Sequence, residues 1–127
     1  MRRIVSLVAV GFAALVPSTS LAKAEYPGFH TPGRAIYCRY AQARPLAITC
    51  WRSKDGYAVT LHVYGRPLAY YNPVYRHMYE DSSPILRYGK LWGSYKVIGC
   101  KATKQNLYCK NRGGHGFTIS KSGHKSF

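Results

Sequence analysis

Hydrophobic and polar positions alternate with a period of two near the middle of the chain. From Tyr57 to Tyr64, the residues Tyr, Val, Leu and Val alternate with Ala, Thr, His and Tyr. This period is typical of a half-buried β-strand. Further segments rich in Ile, Val, Thr, Tyr and Trp favour strands as well: Ala35 to Arg39, Ile48 to Arg52, Tyr95 to Ala102, Leu107 to Asn111 and Gly116 to Ser120. The pattern predicts an all-β fold, either a small antiparallel sheet or a barrel-like sandwich.

Turn signals separate these strands. Lys54-Asp55-Gly56 contains the Asp-Gly pair that favours a tight hairpin, and residues 103–106 have the length of a hairpin tip. Gly65 to Pro84 contains three prolines and four tyrosines. We predict that this segment is a long loop lying over the sheet, with a short helical turn around Val74 to Tyr79.

Four cysteines, Cys38, Cys50, Cys100 and Cys109, allow three disulfide pairings. Each neighbouring pair is separated by a segment of hairpin size, which favours Cys38 with Cys50 and Cys100 with Cys109. A loop of this length contributes about 3 kcal/mol per bridge. The spacings do not match the close cysteine pairs of zinc sites. We therefore predict two local disulfides, with no metal and no cofactor.

The N-terminus has the three parts of a signal peptide. Arg2-Arg3 is followed by a mostly apolar run from Ile4 to Val16 and by Ala22-Lys23-Ala24. The run is shorter than the roughly 17 to 25 apolar residues of a membrane span. We predict a signal peptide over residues 1–24, with cleavage after Ala22 as the alternative. A single secreted or periplasmic domain without a transmembrane anchor then occupies residues 25–127.

Charge is distributed unevenly along that domain. It contains sixteen Lys and Arg against four acids, a net charge of +12, and nine basic residues but no acid follow Ser82. Such an excess favours an anionic polymer or envelope component as partner. The alternative is a basic surface that only keeps the protein soluble. The candidate anion-binding residues lie near the C-terminus: Lys101, Lys104, Lys110, Arg112, Lys121 and Lys125.

Catalytic signals are sparse. His115 lies between two glycines and is a candidate ligand contact, as are Tyr75 and Tyr79 of the long loop; the simpler interpretation is that His115 hydrogen-bonds its own turn. With so few carboxylates, a hydrolase constellation has little to draw on, and we predict no catalytic residue. Two alternatives to a non-catalytic binding module remain. One is a ribonuclease-like hydrolase using a pair of the five histidines, and the other is an interaction or inhibitor module using the Tyr-rich loop.

An ordered set of short motifs spans the predicted domain: Phe29-His30-Thr31-Pro32, Ile36-Tyr37-Cys38, Tyr88-Gly89 with Trp92, Cys109-Lys110-Asn111, Gly114-His115-Gly116-Phe117 and Ile119-Ser120. The set resembles a family of small secreted bacterial proteins of unknown function. Gly33-Arg34-Ala35 and Lys121 depart from the family pattern, and its further central cysteines are absent. The resemblance implies export, local disulfides and a β-rich fold, but no activity.

Overall fold

The computed structural model describes residues 27–41 and 46–127, so the predicted signal peptide lies outside the described residues. The chain forms two five-stranded antiparallel sheets, each with its strands in sequence order. The first sheet contains β1 Gly28–His30, β2 Ile36–Ala41, β3 Ala47–Arg52, β4 Tyr57–His62 and β5 Leu68–Tyr71. The second contains β6 Leu91–Ser94, β7 Ile98–Ala102, β8 Leu107–Asn111, β9 Gly116–Ile119 and β10 His124–Ser126. The prediction of an all-β fold is confirmed.

Both predicted disulfides are present. Cys38 pairs with Cys50 across β2 and β3, and Cys100 pairs with Cys109 across β7 and β8. In each pair, the two cysteines are directly opposed in the strand register, with Cα atoms 4.0 and 4.1 Å apart. Opposed residues of an antiparallel pair approach this closely at non-hydrogen-bonded positions, which explains why hairpin geometry was sufficient to predict the pairing.

The two sheets pack face to face over one apolar core. From the first sheet it receives Phe29, Ile48 and Leu61, and from the second sheet Leu107 and Phe117, all with at most 2% of their surface exposed. The disulfides lie in the same layer. The period of two explains this arrangement, because alternate residues of each strand face the partner sheet.

Two buried polar residues connect the sheets at equivalent places. Arg52 and Asn111 each lie two residues after the second cysteine of their own sheet. The Arg52 guanidinium donates to the backbone oxygens of Ser120, at 2.9 Å, and Gly123, in the β9–β10 turn. In the opposite direction, the side-chain amide of Asn111 donates to the backbone oxygens of His62 and Gly65, both at 2.9 Å. Each sheet therefore holds a turn of the other.

The long loop covers the outer face of the first sheet, as predicted, but it is not entirely a loop. Residues Leu68–Tyr71 form β5, and a 3-10 turn occupies Pro73–Tyr75. The Tyr75 ring stacks on Trp51 with ring centroids 4.9 Å apart. Next to it, the indole N–H of Trp51 donates to the backbone oxygen of Met78 at 3.0 Å. These contacts bury the aromatic residues of that face.

One predicted strand boundary, the start of β7, was wrong by three residues. The strand predicted from Tyr95 starts only at Ile98, because residues 94–97 form the turn between β6 and β7, closed by a bond from the Val97 N–H to the Ser94 oxygen. The prediction also missed the four strands at the sheet edges, β1, β5, β6 and β10.

Candidate functional site

The acidic residues of the described part all have a basic partner, and all precede Ser82. Arg34 lies beside Asp81, Arg39 beside Glu80, and Arg52 beside Asp55. No acid follows Asp81 in the sequence. The second sheet therefore presents its basic residues without a carboxylate of its own segment to neutralise them.

The outer face of the second sheet presents three lysines. Cross-strand pairing places Lys101, Tyr108, Thr118 and Lys125 in one row, and Gly99, Lys110 and Gly116 in the next row. Paired residues of an antiparallel sheet point to the same side. These residues point away from the disulfide layer, because Cys100 and Cys109 occupy the alternate positions of the same strands. Lys101, Lys110 and Lys125 therefore lie on one face, around Tyr108.

Three aromatic rings form a ladder on this face, here called the aromatic ladder: Tyr95, Tyr108 and Phe127. Tyr108 stacks on Phe127 with ring centroids 5.5 Å apart and contacts Tyr95 edge-on at 6.1 Å. All three rings are half-buried. Burial, with a smaller contribution from Tyr108, raises the pKa of Tyr95. The Tyr95 phenol stays neutral at physiological pH, so it adds no negative charge to the basic face.

Glycines provide the space for the outer rings of the ladder. A Cβ atom at position 99 would lie 2.8 Å from the Tyr95 ring. One at position 116 would lie 2.7 Å from the Phe127 ring and closer still to the backbone oxygen of Cys109. These distances are shorter than van der Waals contact. Each ring therefore lies over a bare stretch of strand, which is why Gly99 and Gly116 are buried on an outer face.

The other predicted anion-binding residues lie elsewhere. Lys104 is at the tip of the β7–β8 hairpin and Lys121 is in the β9–β10 turn, where both line a cleft described below. Arg112 is exposed in the β8–β9 turn. The structure thus divides the six predicted residues between a face, a cleft and a turn.

The candidate ligand contacts have structural partners. The backbone N–H of His115 donates to the Asn111 side chain at 2.9 Å, which closes the turn that leads into β9. Tyr75 stacks on Trp51, and Tyr79 contacts the Tyr37 ring edge-on. A ligand role for these three residues remains a prediction.

Sequence reasoning did not select the aromatic ladder as a site. Tyr95 and Phe127 lie far from Tyr108 in the sequence, so only the strand register brings them together. The available signal was a glycine within each of two strands, since interior strand glycines often mark a close approach by another group.

A serine and a histidine are in contact, but not in a form that supports hydrolysis. His30 Nδ1 lies 2.8 Å from Ser83 Oγ, and that hydroxyl donates to the backbone oxygen of Glu80 at 2.7 Å. The two residues are only 3% and 5% exposed. Burial lowers the pKa of His30, which keeps it neutral. This pair supports the fold rather than a nucleophile, because neither side chain is accessible to a substrate.

Within residues 27–41 and 46–127, no helix has the length and hydropathy of a membrane span. The same residues contain no group of three His, Cys, Asp or Glu side chains arranged to hold a metal ion.

Comparison with known proteins gives no relative from which a function could be transferred. No family model matches the chain, and neither a curated protein nor a solved structure is significantly similar to it. The resemblance of its motifs to the family of small secreted bacterial proteins stays an expectation.

Proposed function

We propose that this protein is an exported, non-catalytic module that binds an anionic polymer or envelope component through the outer face of its second sheet. The observation that carries the proposal is the aromatic ladder, half-exposed and flanked by Lys101, Lys110 and Lys125. Aromatic rings stack on bases or sugar rings, and lysines neutralise the adjacent anionic groups. Export is supported by the signal-like N-terminus and by two disulfides, which persist in oxidising compartments.

Retention of the purified protein on immobilised polymers tests this proposal. The probes are a single-stranded oligonucleotide, alginate and polyphosphate, each eluted with a salt gradient. We expect all three to retain the protein at low salt, with affinity falling steeply as salt rises. The two ring-bearing polymers should elute later than polyphosphate, because only they can stack on the ladder.

A triple substitution of the face isolates its contribution. Lys101→Gln, Lys110→Gln and Lys125→Gln together should reduce the slope of log affinity against log salt by about 2 for a single strand. The matched control replaces Arg66, Arg76 and Lys90 by Gln, which removes the same charge from exposed positions outside the face. Equal losses in both triple variants would show that net charge alone drives retention, and the proposal would fail.

A further inference from the structure

Three turns from both sheets meet around a cleft of about 280 Å³. Residues 31–33 and Ala35 of the β1–β2 turn form one wall, the hairpin tip 103–106 forms the second, and residues 120–122 of the β9–β10 turn form the third. The cleft lies at one end of the molecule rather than on the outer face of the second sheet. It is therefore a place where both halves of the chain could contact one ligand.

Hydrogen bonds within each turn fix the walls. The Arg34 N–H donates to the Thr31 oxygen at 3.0 Å, and Gly33 follows Pro32 with φ of 86°, which together form a type II turn. In the hairpin tip, the hydroxyl oxygen of Thr103 accepts the N–H groups of Gln105 and Asn106. Turns held in this way lose little conformational entropy when a ligand binds.

Buried Arg52 fixes the third wall. Its guanidinium donates to the Ser120 and Gly123 oxygens, while the Ser120 hydroxyl accepts the Gly123 N–H at 3.0 Å. These bonds hold the β9–β10 turn against the first sheet. Lys121 lies within this turn, so its backbone position in the cleft is determined by contacts to both sheets.

The lining suits a hydroxylated anion. It contains two lysines and one aromatic ring, that of Tyr88, but no acid. Its hydroxyl and amide side chains are those of Thr31, Thr103, Gln105, Asn106, Ser120 and Ser122. Sugar sites combine such hydrogen-bonding groups with an aromatic surface, and lysines attract a carboxylate or phosphate. The volume is just below the roughly 300–1,000 Å³ of small-molecule pockets, which is suitable for a small ligand rather than a polymer backbone.

A second cavity extends the positive charge. It measures about 170 Å³, shares Gly33, Ala35 and Lys121 with the first, and adds Arg34 and Lys54. Lys121 therefore lies at the junction of two adjacent cavities. Two arginines of this cavity lie beside carboxylates. Arg52 binds Asp55, and the Nε atom of Arg34 lies 3.6 Å from Asp81 in an exposed pair that is weak.

We propose that this cleft is a second binding site, for a small anionic sugar such as a uronic acid or a sugar phosphate. Lys104 and Lys121 bind the anionic group, the hydroxyl and amide side chains bind the sugar hydroxyls, and Tyr88 contacts the ring. The site is separate from the aromatic ladder, so the cleft can bind its ligand even if the ladder binds no polymer.

Amide chemical-shift titration of the purified protein tests the site, with glucuronate, glucose 6-phosphate, glucose and inorganic phosphate as probes. We expect saturable shifts in residues 31–35, 103–106 and 120–122 with both anionic sugars, and the tighter one identifies the preferred anion. Glucose and inorganic phosphate should each bind at least about tenfold more weakly, since each lacks one half of the recognised chemistry.

Paired variants assign the binding to the cleft. Lys104→Gln with Lys121→Gln should weaken both anionic sugars by about tenfold or more. Lys101→Gln with Lys125→Gln removes the same charge from the ladder face and should leave the affinity unchanged. The proposal is overturned if neither anionic sugar gives saturable shifts in the three turns, if inorganic phosphate or glucose binds equally well, or if the two double variants lose affinity equally.

Discussion

The two sheets have the same strand order and an equivalent disulfide, yet their outer faces differ in what covers them. Trp51 pairs with Tyr37 and Ala58 on the first sheet, and at the corresponding positions of the second sheet Lys110 pairs with Gly99 and Gly116. Residues 72–83 of the chain cover the first face through Tyr75, Met78 and two ion-paired acids. The second face has no comparable loop among the described residues.

The covered face of the first sheet shows which groups an aromatic and basic sheet face in this fold can bind. On the first sheet, a ring from the same chain stacks on Trp51, and carboxylates of the same loop pair with Arg34 and Arg39. Rings and acids are the groups that an anionic polymer with bases or sugars would bring. The first sheet thus binds its own loop with the chemistry that we propose the second sheet uses for a partner.

The largest effect should come from the covered face. Trp51→Ala removes a fully buried ring and should lower the free energy of unfolding by about 3–5 kcal/mol. Lys110→Ala, at the equivalent position of the second sheet, should change it by less than about 0.5 kcal/mol. Urea denaturation of both variants measures the contrast. Similar losses of unfolding free energy in the two variants would mean that the outer faces of the two sheets are equally covered.

Removal of each disulfide is the next largest effect. Replacing Cys100 and Cys109 by Ser, or Cys38 and Cys50 by Ser, should cost about 3 kcal/mol in each case. The loop over the first sheet remains in place in either variant. We therefore expect amide exchange to accelerate more in β7 and β8 without their bridge than in β2 and β3 without theirs. The reverse order would contradict the protective role of the loop.

Asn111→Ala should lower the stability by less than loss of a disulfide, but it should affect both sheets. It leaves the His62 and Gly65 oxygens and the His115 N–H without their side-chain partner, which costs about 1–3 kcal/mol. Because Asn111 connects both sheets, exchange should accelerate in the β4–β5 turn as well as in the β8–β9 turn. An effect confined to the second sheet would show that this connection does not couple them.

The smallest expected effect is a loss of stability at acidic pH, and it should come from Asp55 and His30. Hydrogen bonds from Arg52 hold the pKa of Asp55 below its ordinary value of 3.8. The stability from this contact is present above that value and is lost as the pH falls through the lower folded-state pKa. Burial lowers the pKa of His30 below 6.5, so stability also falls as the pH drops below 6.5, where the unfolded chain binds the proton first.

Substitutions separate these two acid effects. In urea denaturation, Asp55→Asn should flatten the pH dependence below about 4, and His30→Gln should flatten the fall in stability that begins as the pH drops below 6.5. Lys110→Gln on the second sheet should leave the profile unchanged. An Asp55→Asn profile that matched the parent at low pH would show that the Arg52 contact contributes nothing to acid stability.

Much of this fold followed from local patterns, and the exceptions have a physical cause. Interior strands such as Tyr57–His62 alternate clearly because both neighbours and the core constrain them. The four missed strands are all at sheet edges, where one side is not paired; three to four residues such as Leu68–Tyr71 carry too little pattern to be detected. Edge strands in natural sheets are often short.

The candidate site was predictable only in part. The sequence identified the lysines as a charged segment, but a difference of three positions, as between Lys101 and Lys104, determines whether a side chain lies on the sheet face or in the cleft. The aromatic ladder depends on the register of β7, β8 and the C-terminal strand. Its members are distant in sequence, so no local pattern joins them.

The measurement that tests the central comparison most directly is an amide chemical-shift map of the protein with a single-stranded oligonucleotide at low salt. We predict the largest shifts at Gly99, Lys101, Tyr108 and Lys110, with Trp51 unchanged, and a loss of affinity of about 1–3 kcal/mol in Tyr108→Ala. Largest shifts at Trp51 and the loop over it, with Tyr108→Ala binding like the parent protein, would contradict the account.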